Sequence, residues 1–104
     1  MEHKITGLHH VTCITAKPQE HVDFYTKVLG LRLVKLTVNF DDPSTYHTYF
    51  GDETGSPGTL MTFFPWVRAR PGRIGAGQIS AIAFSIPEGA MGFWMHRFRG
   101  LGVS

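Results

Sequence analysis

A strand-then-helix pattern begins twice in this chain, and any fold it adopts must accommodate that repetition. Pro18, Phe24 and Tyr25 are echoed by Pro87, Phe93 and Trp94 at an offset of 69 residues, and Gly30-Leu31 by Gly100-Leu101 at an offset of 70. Before the first helix, Lys4 to Thr15 carries the β-branched residues Ile5, Thr6, Val11, Thr12, Ile14 and Thr15, which suits a strand. Pro18 fits the first helical position. Val22, Tyr25, Val28 and Leu29 form an apolar stripe that Phe24 widens, and Gly30 supplies the stop. Leu31 to Phe40, Thr45 to Gly51 and Thr59 to Phe64 then read as three more strands. They are separated by the turn cluster Asp41-Asp42-Pro43-Ser44 and by the loop Asp52 to Gly58.

Pro65 to Gly77 holds two Pro, three Gly and three Arg and reads as a linker. Gln78 to Ile86 is again strand-like. Pro87 opens a second helix with the stripe Met91, Trp94, Met95 and Phe98, which Gly100 is expected to end. The repetition is either an internal duplication of a βαβββ module or a coincidence between two Pro-opened amphipathic helices. The expected class is therefore α+β: a first module over residues 1–64, a linker over 65–77, and the first strand and helix of a second module over 78–104. The second copy reaches Ser104 as its second strand would begin, so the chain reads as the front part of a longer protein. A half-built module leaves a sheet edge and a helix face uncovered, and pairing of two copies, a homodimer, is expected to cover them.

Composition narrows the function classes. At 104 residues the chain supports one small domain. Its formal net charge of +2 is too small for a nucleic-acid footprint, and only Arg68, Arg70 and Arg73 cluster. The lone Cys13 excludes an intramolecular disulfide and reads as a buried, inert thiol. Met1 to Gly7 is polar and no apolar run approaches membrane length, so neither a leader nor a membrane partner is expected, and the location expected is cytoplasmic. No P-loop, Gly-x-Ser-x-Gly elbow, paired-Cys motif or catalytic carboxylate pair is present in the sequence.

Six His and eight Phe leave imidazole chemistry and aromatic walls as the features to weigh. His9 and His10 are adjacent in the first strand, and alternation sends their rings to opposite faces. Leu8, His10, Thr12 and Ile14 share one face; Gly7, His9, Val11 and Cys13 share the other. Two readings stand for His10, an ordinary half-buried strand residue or a metal ligand, because a metal site needs three or four ligands and one His is not a site. His47, mid-strand among Tyr residues, either lines the same pocket or packs structurally. His21 and His96 read as solvated. Tyr46, Tyr49, Phe63 and Phe64 are candidates for walling a cavity around a planar ring, although alternation puts about half of each strand in the core.

Gly7-Leu8-His9-His10-Val11-Thr12, the helix from His21-Val22-Asp23-Phe24-Tyr25 through Val28-Leu29-Gly30-Leu31, and Leu33-Val34-Lys35 resemble the opening of a vicinal-oxygen-chelate module (glyoxalase, bleomycin resistance and extradiol dioxygenase). Asn39-Phe40-Asp41-Asp42-Pro43, Tyr46-His47-Thr48-Tyr49-Phe50-Gly51-Asp52-Glu53, Gly55, Pro57-Gly58-Thr59 and Thr62-Phe63-Phe64-Pro65 are similar to the hydroquinone- and catechol-type ring-cleaving dioxygenases of that superfamily. The resemblance implies βαβββ modules around an open cavity. It also implies Fe(II), or Mn(II) in its place, held by two His and one Glu, with an aromatic diol and O2 as substrates. It makes His10 the metal ligand and Thr12, on the same face, a neighbour outside the metal's own ligand set. His47, Tyr49 and Phe63 are carried as pocket residues. The remaining His and Glu are not at the matching positions: the fourth strand reads Leu60-Met61-Thr62-Phe63, and the repeat of His10 falls near Ile79. One ligand of three implies that these residues alone are inactive and bind no metal tightly. A glyoxalase-type lyase or isomerase, a metal-free binding protein of the bleomycin-resistance kind and a self-assembling structural domain are the competing readings.

The uncovered edge makes an immediate prediction. Size-exclusion chromatography should place the chain at the dimer position, and a clean monomer would count against pairing.

Overall fold

The structure, a computed structural model, describes residues 3–38 and 46–103. Its elements are β1 (His10–Thr15), α1 (Pro18–Asp23), β2 (Arg32–Val38), β3 (Tyr46–Gly51), β4 (Leu60–Pro65) and α2 (Met91–Leu101). Two compact units result, Met1–Arg70 and Pro71–Ser104. The expected turn at Asp41-Asp42-Pro43-Ser44, with its flanks Asn39, Phe40 and Thr45, lies outside the described residues.

In the first unit the four strands form one mixed sheet in the order β1-β4-β3-β2. β1 runs parallel to β4, and the other neighbours are antiparallel. This is the expected βαβββ order. The first strand is shorter than the run of β-branched residues suggested, because its partner β4 begins at Leu60, opposite His10. Beyond that point Lys4 to His9 has no ladder to join. Two bonds pin the ends of β1: the Gly58 N–H donates to the His9 carbonyl at 2.7 Å, and the Trp66 N–H donates to the Thr15 carbonyl at 2.8 Å. Gly58 has φ +87°, and a Cβ there would stand 3.3 Å from the Leu8 carbonyl oxygen, so glycine lets the β3–β4 loop reach β1.

α1 continues without a break into one π-helical turn, Phe24–Val28, where an ordinary α-helix was expected. The Leu29 N–H accordingly donates five residues back, to the Phe24 carbonyl at 3.1 Å. Gly30, at φ 71°, ends the segment as expected. Val22 and Tyr25 face the sheet. Phe50, Met61 and Phe63 are buried at the centre, with Val11, Cys13, Val22, Tyr25 and Leu31 packed around them. The Tyr25 ring sits 5.4 Å from that of Phe50 and 5.0 Å from that of Phe63. Every buried side-chain polar atom among the described residues has a hydrogen-bond partner.

In the second unit the expected strand Gln78–Ile86 joins no ladder. A strand is stable only when a neighbour takes up its N–H and C=O groups, and the described residues offer it none. α2 starts at Met91 and not directly after Pro87, because a turn closed by the Ala90 N–H on the Pro87 carbonyl, at 3.1 Å, intervenes. The helix also runs through Gly100, the expected stop. Gly102 takes the left-handed conformation instead (φ 70°), and the Val103 N–H donates to the Phe98 carbonyl at 2.8 Å, closing a Schellman turn. Of the expected stripe, Trp94 and Phe98 meet at 5.7 Å, whereas Met91 and Met95 remain exposed.

Phe50 is the best-buried large side chain in the core, at 0% exposure. Phe50→Ala should cost about 3–5 kcal/mol, a large share of the roughly 5–15 kcal/mol of a small domain. Leu36→Ala, at a position 59% exposed, should stay within about 0.5 kcal/mol. Urea denaturation followed by circular dichroism checks both.

Candidate functional site on the second sheet face

Alternation along the strands sorts the residues of the sheet into two sets. Val11, Cys13, Phe50, Met61 and Phe63 face α1 and form the core. Their strand neighbours His10, Thr12, Tyr49 and Thr62 therefore lie on the other face. Ladder pairing confirms the row: Thr12 is opposite Thr62, Thr62 opposite Tyr49, and Tyr49 opposite Lys35. His47 is two residues along β3 from Tyr49, on the same face.

Thr12, Thr62, His47 and Tyr49 are hydrogen-bonded across three strands. Thr12 Oγ1 and Thr62 Oγ1 are 2.7 Å apart. His47 Nε2 and Thr62 Oγ1 are 2.9 Å apart. The Tyr49 hydroxyl lies 3.0 Å from His47 Nδ1. The His47 ring also stacks on Phe64, with centroids 4.1 Å apart. Lys35 Nζ stands 5.5 Å from the centre of the Tyr49 ring, in cation–π range. Burial, and after it the neighbouring His10 and Lys35, hold the His47 imidazole below its ordinary value, which favours its neutral form.

Of the residues expected at a site, His10, Thr12, His47 and Tyr49 come to this one face. Phe63 does not. It is 3% exposed and belongs to the core, since it is one residue from Thr62 and alternation turns it toward α1; Phe64 is the aromatic ring beside His47. The expected separation of His9 from His10 also fails. Their Nδ1 atoms lie 2.9 Å apart, because β1 begins at His10 and His9 is outside the alternating ladder. With one Nδ1 donating to the other, the His10 ring presents its Nε2 edge. His21, expected in solvent, bonds the Thr15 hydroxyl at 2.8 Å and packs its ring 5.0 Å from that of Phe63. Cys13 lies on the core side, and burial pushes its thiol up, as suits an inert cysteine.

Thr62 was not singled out from the sequence, although it is the junction of the face. It is fully buried, at 0% exposure, in the central strand. Its signal was a lone hydroxyl in the apolar run Leu60-Met61-Thr62-Phe63-Phe64. Among the described residues no three His, Cys, Asp or Glu side chains gather to hold a metal ion. His10 has no such company there, and the described residues do not by themselves make up a metal centre. No helix among the described residues is long and apolar enough to cross a membrane.

Comparison with known proteins places the chain in a family. The model of the Glyoxalase/Bleomycin resistance protein/Dioxygenase superfamily matches residues 7–102. The chain is 57% identical over 103 residues to the protein named "Putative ring-cleaving dioxygenase MhqO" of Bacillus subtilis, and covers 33% of that protein. It is 47% identical over 93 residues to the chlorohydroquinone/hydroquinone 1,2-dioxygenase of Sphingobium indicum, covering 29% of it. The chain thus spans about a third of the length of these relatives. A Bacillus subtilis crystal structure described as a "putative dioxygenase" superposes with TM-score 0.91 at 57% identity, over 97% of this chain and 33% of that one. The fosfomycin resistance protein FosX of Listeria monocytogenes shares the fold at TM-score 0.64 and 16% identity, over 97% of this chain and 73% of that one. The chain belongs to the Glyoxalase/Bleomycin resistance protein/Dioxygenase superfamily.

Proposed function

We infer that this chain is the front module of a metal-dependent ring-cleaving dioxygenase of the extradiol type, acting on a hydroquinone- or catechol-type aromatic diol with O2. The observation that carries the reading is the gathering of His10, Thr12, His47 and Tyr49 on one sheet face, in a chain 47–57% identical to proteins named as ring-cleaving dioxygenases. His10 offers one imidazole to the metal, Fe(II) or Mn(II), and the other ligands come from the further two-thirds of a protein the size of these relatives. In that protein the metal's chemistry is to bring diol and O2 together. Residues 65–77 then link this module to a second that starts in 78–104. A cytoplasmic homodimer paired through its sheet edge is the assembly the reading expects.

The roles of this chain's own residues follow from their surroundings. Thr12, beside His10 on the same face, meets a substrate oxygen near the metal. His47, neutral and held between Thr62 and Tyr49, keeps the floor of the site rigid and uncharged. Tyr49 and Phe64 supply aromatic surface against which a planar ring packs. Lys35, at the far end of the row, adds positive charge that favours an anionic diol.

Two measurements test the reading. Anaerobic loading of the full-length protein with Fe(II), followed by a hydroquinone and then O2, should consume O2 and open the ring. His10→Ala should abolish turnover, and Thr12→Val should lower it about 10- to 100-fold, the cost of losing one hydrogen bond to a charged substrate oxygen. Turnover unaffected by His10→Ala would refute the assignment. Titration of the 104-residue chain with Fe(II) or Zn(II) should show no tight one-to-one site, and finding one would refute the single-ligand account.

A further inference from the structure

Four hydroxyl and imidazole groups on the second sheet face meet at three contacts. Thr12 to Thr62 is 2.7 Å, Thr62 to His47 Nε2 is 2.9 Å, and His47 Nδ1 to Tyr49 is 3.0 Å. We propose that Thr12, Thr62, His47 and Tyr49 form one polarised hydrogen-bond relay, in which the tautomer of His47 decides which end, Thr12 or Tyr49, offers a hydroxyl hydrogen to a substrate oxygen.

Counting hydrogens makes the relay all-or-none. Each Thr, the Tyr and a neutral imidazole carries one polar hydrogen. Three contacts consume three of the four. If Thr62 donates to Thr12, then Nε2–H of His47 must donate to Thr62 and the Tyr49 hydroxyl must donate to Nδ1, leaving the Thr12 hydrogen free. If Thr62 donates to Nε2, then Thr12 donates to Thr62 and Nδ1–H donates to Tyr49, leaving the Tyr49 hydrogen free. A third arrangement, in which Thr62 accepts from both Thr12 and Nε2–H, also makes every contact but strands the hydrogen of Thr62 itself. Thr62 enforces the choice, because it is fully buried and has no water to turn to. Phe64, stacked 4.1 Å from the His47 ring, holds both nitrogens on their partners. Burial of the imidazole favours its neutral form, which the count requires.

Thr62 and His47 are thus positioning residues that act through the two ends. A substrate oxygen that accepts at Thr12 draws the whole relay one way; an oxygen that accepts at Tyr49, beside Lys35, draws it the other. An aromatic diol presents two oxygens of unequal charge once one is ionised, and the relay tells them apart. This last step rests on the dioxygenase reading, whereas the relay itself does not.

Long-range proton–nitrogen NMR of the His47 ring, above neutral pH and without metal, tests the relay independently of any turnover. An unpaired buried donor costs more than an unpaired acceptor. Thr12→Val should therefore turn Thr62 toward Nε2 and give the Nδ1–H tautomer, while Tyr49→Phe should leave Nδ1 bare and give the Nε2–H tautomer. Each tautomer should dominate by about tenfold, the bias of one hydrogen bond. Thr12→Ser, which keeps the hydroxyl, should retain the wild-type tautomer. Thr12→Ala and Tyr49→Leu, which also remove the end hydroxyls, stand in if a first variant fails to fold. The same tautomer, or the same mixture, in the variants at both ends overturns the relay. Loss of ring cleavage by the full-length protein would instead bear on the dioxygenase reading alone.

Discussion

The parallel ladder between β1 and β4 is the constraint on which the rest of the first unit depends. It sets Thr12 opposite Thr62, residues fifty positions apart in the chain, and joins His10 to the sheet. Without it β1 would be an extended arm with free N–H and C=O groups, and neither the core nor the polar face would be complete. Backbone bonds from Gly58 and Trp66 hold its two ends. The ladder thus determines at once what Val11 and Cys13 pack against and what Thr12 bonds to.

The same strands serve two purposes through their alternation. One face of β1, β3 and β4 supplies Val11, Cys13, Phe50, Met61 and Phe63 to an apolar core under α1. The other supplies a continuous set of hydrogen-bonding groups. Stability and chemistry are therefore coupled at neighbouring residues, as with Phe63 and Thr62, which point in opposite directions from one buried strand. A one-residue slip of β4 would exchange them, placing a hydroxyl in the core and a phenyl ring against His47. That coupling gives strong reason for the register to be kept.

Much of this organisation is legible from the residues. The β-branched and aromatic runs mark β2, β3 and β4 to within a few residues and the end, though not the start, of β1; Pro18 and Gly30 bound the first helical segment, and the alternation of His10 and Thr12 against Val11 and Cys13 is as expected. Other features depend on partners distant in sequence. The length of β1 is set by where β4 begins, which no local pattern contains. Gln78–Ile86 has a strand's composition and no neighbour to pair with among the described residues. Gly100 and Gly102 are equally able to end a helix, and the choice fell to the one that closes the turn of Val103 onto Phe98.

By itself the sequence determined the order of elements in the first unit, the two-sidedness of its strands and, through its motifs, membership of the superfamily. These follow from local preferences and from the period of two along a strand. Tertiary structure decided which of the candidate groups meet. It brought His9 back onto His10, sent Phe63 inward, and made Thr62 the buried junction between Thr12 and His47. The physical reason is that a hydrogen bond between side chains is a property of strand register and of what water is excluded, and neither is written in any single stretch of the chain.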